Sequence, residues 1–69
     1  MENYFAKTLS EIMADRKLNQ LTLSAILGIR QSQISNWLNG KSLPGYFSLY
    51  LLGEKLDIDI TLFFERKNK

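Results

Sequence analysis

Apolar residues recur along this chain at spacings of three and four, in blocks separated by polar residues and glycine. Phe5, Leu9, Ile12 and Met13 share one helical face and predict a first helix from Tyr4 to about Arg16. Leu23 and Leu27 mark a second helix, Gln20 to Leu27, with Asn19 as its side-chain cap and Ser24 small enough for a close helix crossing. Ile26 falls off that inward line and is expected against the terminal segment. Gly28 ends the second helix with a positive φ, Ile29 turns back into the core, and Ile34, Trp37 and Leu38 define a third helix from Gln31 to Asn39, stopped by Gly40.

After Pro44 and Gly45, the spacing of Leu49, Leu52 and Leu56 predicts a fourth helix. Gly53 lies inside it, where glycine lowers helix propensity by about 1 kcal/mol relative to alanine, so close packing against a neighbouring helix is the expected reason for it. Ile58 returns to the core, and Asp59 caps a short final helix carrying Ile60, Leu62, Phe63 and Phe64. The tail, residues 65–69, is expected to fray. The fold class is therefore all-α: a compact bundle of four to five short helices forming a single domain over residues 1–69.

Composition narrows the chemistry. A hydrophobic content of 45% suits a packed core rather than a disordered tail. With no cysteine or histidine, disulfides, zinc fingers, imidazole acid–base catalysis and most transition-metal sites are excluded, and no cofactor is expected. Glu11 and Asp15 fall on the surface of the first helix without a sign of an enclosed cleft, so an enzyme is not expected. The first residues do not read as a signal peptide, and the apolar patch from Tyr46 to Leu52 is far too short to span a bilayer, which points to a cytoplasmic protein with no membrane partner.

A net charge of +2 says little, but its distribution says more. No acidic residue lies between Asp15 and Glu54, whereas Arg16, Lys17, Arg30 and Lys41 do, and acids gather at Glu54, Asp57, Asp59 and Glu65. The basic side thus coincides with the helix pair. Within it, Gln31 and Gln33 stand near the start of a short helix; a major groove admits one helix, and glutamine can bond adenine N6 and N7 together. The start of that helix also offers backbone N–H groups to a phosphate.

The segment resembles the helix-turn-helix of the phage repressor and Cro-like family. The matching positions are Asn19-Gln20, Leu23-Ser24, Gly28-Ile29, Gln31-Ser32-Gln33, Ile34-Ser35, Trp37 and Asn39-Gly40-Lys41, with Pro44, Leu49, Leu52, Leu56 and Ile58 extending the register through the fourth helix. The resemblance implies a lambda-repressor-like DNA-binding domain whose third helix enters the major groove of double-stranded DNA. It implies base contacts from Gln31, Ser32, Gln33 and Asn36, and phosphate or positioning roles for Gln20, which would brace Gln31, and for Arg30, Asn39 and Lys41. Asn39 could instead only terminate its helix, and Trp37 reads as core.

Two departures from the family pattern are informative. Arg30 and Gly45 stand where a small polar cap is usual, so the third and fourth helices lack side-chain caps. Met13 and Leu38 occupy positions where much of the family pairs an arginine with a glutamate; with both apolar, they are expected to pack together rather than strand a charge.

The function implied is a sequence-specific transcriptional regulator, a repressor acting by occupancy of an inverted-repeat operator. A homodimer would suit such a site, with Ile60, Leu62, Phe63 and Phe64 as the candidate dimer surface; the alternative for Ile60 and Phe63 is closure of the monomer core. Tyr46 and Tyr50 are further candidates for exposed contact. The competing reading is a small helical protein-interaction module such as an antitoxin or anti-regulator, bound to a protein and indifferent to duplex DNA. A helical RNA binder is disfavoured, because the deep groove of A-form RNA excludes a regular helix.

Overall fold

The computed structural model describes residues 3–64, so the expected fraying of residues 65–69 lies outside the described residues. The helices are α1 (Tyr4–Asp15), α2 (Gln20–Leu27), α3 (Gln31–Leu38) and α4 (Tyr46–Leu56), followed by a terminal 3-10 turn (Ile60–Phe63). The protein is all-helical, as expected. α1 and α3 each stop one residue earlier than the periodicity suggests, and the last element is a single 3-10 turn that leaves Phe64 outside it.

Each start is set by a local hydrogen bond where the sequence supplies one. Asn3 Oδ1 accepts from the Ala6 N–H at 2.8 Å, Asn19 Oδ1 from the Thr22 N–H at 2.7 Å, and Asp59 Oδ1 from the Thr61 N–H at 3.0 Å. The ends share another device, a residue in left-handed conformation. Gly28 (φ 69°) follows α2 and Gly40 (φ 73°) follows α3, but Lys17 (φ 58°) and Asp57 (φ 54°) do the same work after α1 and α4. At Gly40 the pattern is complete: Gly40 N–H donates to Trp37 O and Lys41 N–H to Asn36 O.

The elements close into a ring. α3 packs on α1 and α2, α2 on α4, α4 on the terminal turn, and the terminal turn back on α1. At the centre Leu9, Leu23, Ile34, Trp37 and Leu52 are fully buried. Two aromatic contacts complete the circuit: Phe5 meets Phe63 with centroids 4.8 Å apart and Trp37 edge-on at 6.1 Å. Phe63 is 4% exposed and so belongs to the monomer core, and Ile60 is half-buried against it. Of the candidate dimer surface, only Leu62 and Phe64 stand exposed.

Three details go beyond or against the periodic reading. Ile26 is half-buried against the core on a helix whose backbone lies close to α3 and α4 rather than to the terminal turn. Ala6, one position from Phe5, is 1% exposed and lets α1 approach its neighbours. Arg16, counted from sequence as part of the basic side, donates from its guanidinium to Leu56 O at 2.6 Å, placing a cation on the negative end of α4. Met13 is buried on α1 and Leu38 half-buried on α3, both against the same core.

Gly53 and Gly28 are required for different physical reasons. A Cβ built on Gly53 would sit 2.8 Å from Ile60 Cγ2, on a β-branched side chain that cannot swing away. A Cβ on Gly28 meets nothing within 4 Å, so its only constraint is the left-handed backbone. Gly53→Ala should therefore lose stability by about 1 kcal/mol, overpacking outweighing the propensity gain, and should become neutral or stabilising in an Ile60→Ala background. Gly28→Ala should cost about 1 kcal/mol whatever stands at residue 60. Urea denaturation of the single and double variants measures both, and a Gly53→Ala penalty that survives removal of Ile60 would rule out the contact as its cause.

Candidate nucleic-acid interface

The polar face of α3 exists because its opposite face is fully spent. Ile34 and Trp37 are buried, and with about 100° between successive residues the arc pointing away from them holds Ser32, Asn36 and Asn39, with Gln31 and Gln33 on its two flanks. Gln31, Ser32, Gln33 and Asn36 are all exposed. Gln33 and Asn36 share one side of the arc, while Gln31 lies toward the other. The four sequence-nominated base readers are thus all exposed on α3, with Ser32 and Asn36 central and the two glutamines on opposite flanks.

What fixes the tilt of that helix is the connection before it. Gly28 N–H and Ile29 N–H both donate to Ser24 O, at 2.8 and 3.3 Å, and the Ser24 hydroxyl donates to Ile29 O at 2.5 Å. Ser24 therefore ties both sides of the turn, a task beyond the small size for which the sequence nominated it. Ile29 is half-buried against the core, so the turn is anchored by packing as well.

The positioning residues fall around this face. Gln20 is the first residue of α2 and half-buried; among the described residues no hydrogen bond joins it to Gln31. Arg30 is exposed and occupies the cap position of α3 with extended backbone and no side-chain cap bond. The Gln33 and Ile34 N–H groups fold back onto Arg30 O, at 3.0 and 3.3 Å, which leaves the Gln31 and Ser32 N–H groups as the open end of the helix beside a guanidinium-bearing residue. Lys41 is exposed just beyond the other end of α3.

Asn39 has a structural task already. Its backbone N–H donates to Ser35 O at 3.0 Å and its side-chain amide to the Ser35 hydroxyl at 3.3 Å, so it terminates α3 and is held in place while doing so. α4 begins like α3, at Gly45, without a side-chain cap. Among the described residues there is no group of three or more acidic, histidine or cysteine side chains placed to hold a metal ion, and no helix long and apolar enough to cross a membrane.

The sequence of residues 9–63 matches the helix-turn-helix family model, which takes in the end of α1, both helices of the pair, α4 and the terminal turn. No curated protein and no solved structure matches the chain.

The open start of α3 has a measurable energetic signature. Arg30→Ser places a hydroxyl where the backbone is already extended, and should raise stability by roughly 0.5–1 kcal/mol through a new cap bond to the first turn. Thermal or urea denaturation tests this; an unchanged or lower stability would mean that the Arg30 side chain contributes packing that the serine lacks.

Proposed function

The chain belongs to the helix-turn-helix family of phage repressor and Cro-like domains, a DNA-binding family, and on that premise we propose that it is a sequence-specific regulator that lays α3 in the major groove of an operator and represses by occupancy. The observation that carries this is the division of α3 into a buried apolar face and an outward arc of Gln31, Ser32, Gln33 and Asn36.

Side chains on that arc contribute nothing to the core and carry amide and hydroxyl groups, the functional groups that pair with base edges. Gln31 and Gln33 read adenine through paired bonds, and Ser32 and Asn36 contact bases between them. Arg30, with the open N–H groups of the first turn, and Lys41 grip phosphates on the two sides of the groove. Gln20 and Asn39 contribute phosphate contacts from the two helix ends they occupy. With so few cations at the interface, one domain gains little affinity from phosphates, so an inverted repeat read by a twofold pair, with half-sites about 34–36 Å apart, is the operator architecture that suits it.

Selection of bound sequences from random duplex DNA defines the target, and anisotropy titrations on the selected and a scrambled duplex then separate the roles. Gln33→Ala and Gln31→Ala should each weaken the selected duplex by about 1–3 kcal/mol, relax preference at one base position and leave folding unchanged. Lys41→Ala should weaken both duplexes alike and lower the slope of log affinity against log salt by about 1. Equal losses on both duplexes for the glutamine variants would overturn the base-reading assignment, and failure to enrich any sequence would overturn the regulator reading itself.

A further inference from the structure

The pair Asn39-Gly40, which closes α3, carries a chemistry of its own. The carbonyl carbon of an asparagine amide is an electrophile that the next backbone nitrogen can attack, and this makes asparagine a thermolabile residue. Glycine is the most permissive residue in the attacking position, because no Cβ shields its nitrogen. Of the five asparagines in the chain, Asn39 alone precedes glycine; the others precede Tyr4, Gln20, Trp37 and Lys69. Asn39 is also exposed, on the outward arc of α3 and two positions from Lys41.

The folded geometry holds the two reacting groups apart. Attack joins Gly40 N to Asn39 Cγ in a five-membered ring, so Gly40 N has to eclipse Asn39 Cβ across the Cα–C bond. Asn39 has ψ 2°, which makes Gly40 N eclipse the backbone nitrogen of Asn39 instead. Turning that bond releases the end of α3: the Gly40 N–H leaves Trp37 O, at 3.1 Å, and the Lys41 N–H leaves Asn36 O, at 2.9 Å. The side-chain amide is restrained as well, donating to the Ser35 hydroxyl at 3.3 Å. These restraints belong to the last turn of the helix, and the buried side chains of Ile34 and Trp37 are not among them. Helix ends open locally far more often than a whole domain unfolds.

We infer that Asn39 is a self-modification site, converted to an acid at a rate set by local opening of the end of α3. When the turn opens, Gly40 N bonds to Asn39 Cγ, and the side-chain nitrogen leaves as ammonia with the proton that Gly40 N gives up. Solvent water then opens the resulting succinimide at either carbonyl. The products are aspartate at position 39 and its isoaspartyl isomer, in which the main chain runs through the side-chain carbon. Either one replaces an amide by a carboxylate and lowers the net charge of +2 by one unit. The new charge falls at the negative end of the α3 dipole and on the arc proposed to meet phosphate, and it opposes both. The reaction runs one way, so the helix carries a clock. Its effect on DNA rests on the reading of α3, whereas the chemistry itself does not.

Incubation of the full 69-residue chain in warm, mildly alkaline buffer, followed by peptide mass mapping and isoaspartyl-specific methylation, tests the chemistry. The folded chain should convert Asn39 ahead of every other asparagine, roughly tenfold or more slowly than the same chain in concentrated guanidinium chloride. The rate should stay flat as denaturant is added below the unfolding transition, since a local opening exposes little surface. Ser35→Ala, which frees the amide, should speed conversion roughly twofold or more in the folded state with an unchanged helical circular-dichroism spectrum. Asn39→Gln should stop it, because glutamine closes a larger ring slowly. Conversion confined to other asparagines, a folded rate equal to the denatured one, or a rate that climbs from the first addition of denaturant would overturn the assignment. So would an Asn39 that stays an amide in the folded chain over many half-lives of the denatured reaction. Separated by charge, the acidic form should bind the selected duplex roughly tenfold more weakly than the amide form. Equal binding would overturn the effect on DNA and leave the chemistry, read by mass, in place.

Discussion

The contact on which the arrangement depends is the aromatic line Phe63–Phe5–Trp37. It links the last described element to the first and the first to α3, and thereby closes a ring that the short helices could not close by chain connectivity alone. Helices of eight residues are marginal on their own, so α2 and α3 exist because the ring holds them. Trp37 sits on the inward side of α3, and its edge-on contact with Phe5 sets how far that helix can roll. The direction of the outward arc, and with it which polar side chains face solvent, follows from a packing contact on the opposite side of the helix.

Much of this architecture was legible because the core obeys helical spacing. Leu9, Leu23, Leu27, Ile34, Trp37, Leu52 and Leu56 are buried where periodicity puts them, and Asn19 and Asp59 cap as their chemistry suggests. Gly53 also had a readable reason, although the sequence did not reveal that Ile60, in the terminal turn, is the neighbour it admits. What was not legible depends on pairings between distant segments. Nothing local says that Arg16 will reach Leu56, forty positions on, nor that Phe5 will find Phe63. Lys17 and Asp57 escaped for a different reason: they adopt the left-handed conformation without being glycine, so composition carries no mark of the turn.

The candidate site shows the same division. That Gln31, Ser32, Gln33 and Asn36 would stand outward follows from the burial of Ile34 and Trp37, and the surface is as the spacing implied. The roles of individual polar residues were less readable, because polar side chains can serve the fold as well as a ligand. Ser24 closes the inter-helix turn with its hydroxyl, and Asn39 bonds to Ser35 at the end of α3. Arg16 was grouped with the basic surface by its charge and is instead committed to a helix end. A cation's place in the sequence gives its neighbourhood, whereas its hydrogen bond gives its employment.

Arg30 and the α4 aromatics illustrate one criterion from opposite sides. A chain selected only for stability would cap α3 with a small polar residue and would not leave Tyr46, Phe47 and Tyr50 in water. Neither departure is repaired elsewhere in the described fold: Arg30 makes no cap bond, and the three rings stay outside the core. Local disagreement of this kind is expected where a surface serves a partner rather than the fold. The two departures also differ in chemistry, one cationic with open N–H donors and the other apolar and uncharged, so they suit different partners. The first stands at the start of α3, the helix proposed to meet DNA, and the second on α4, so the two surfaces are carried by different helices.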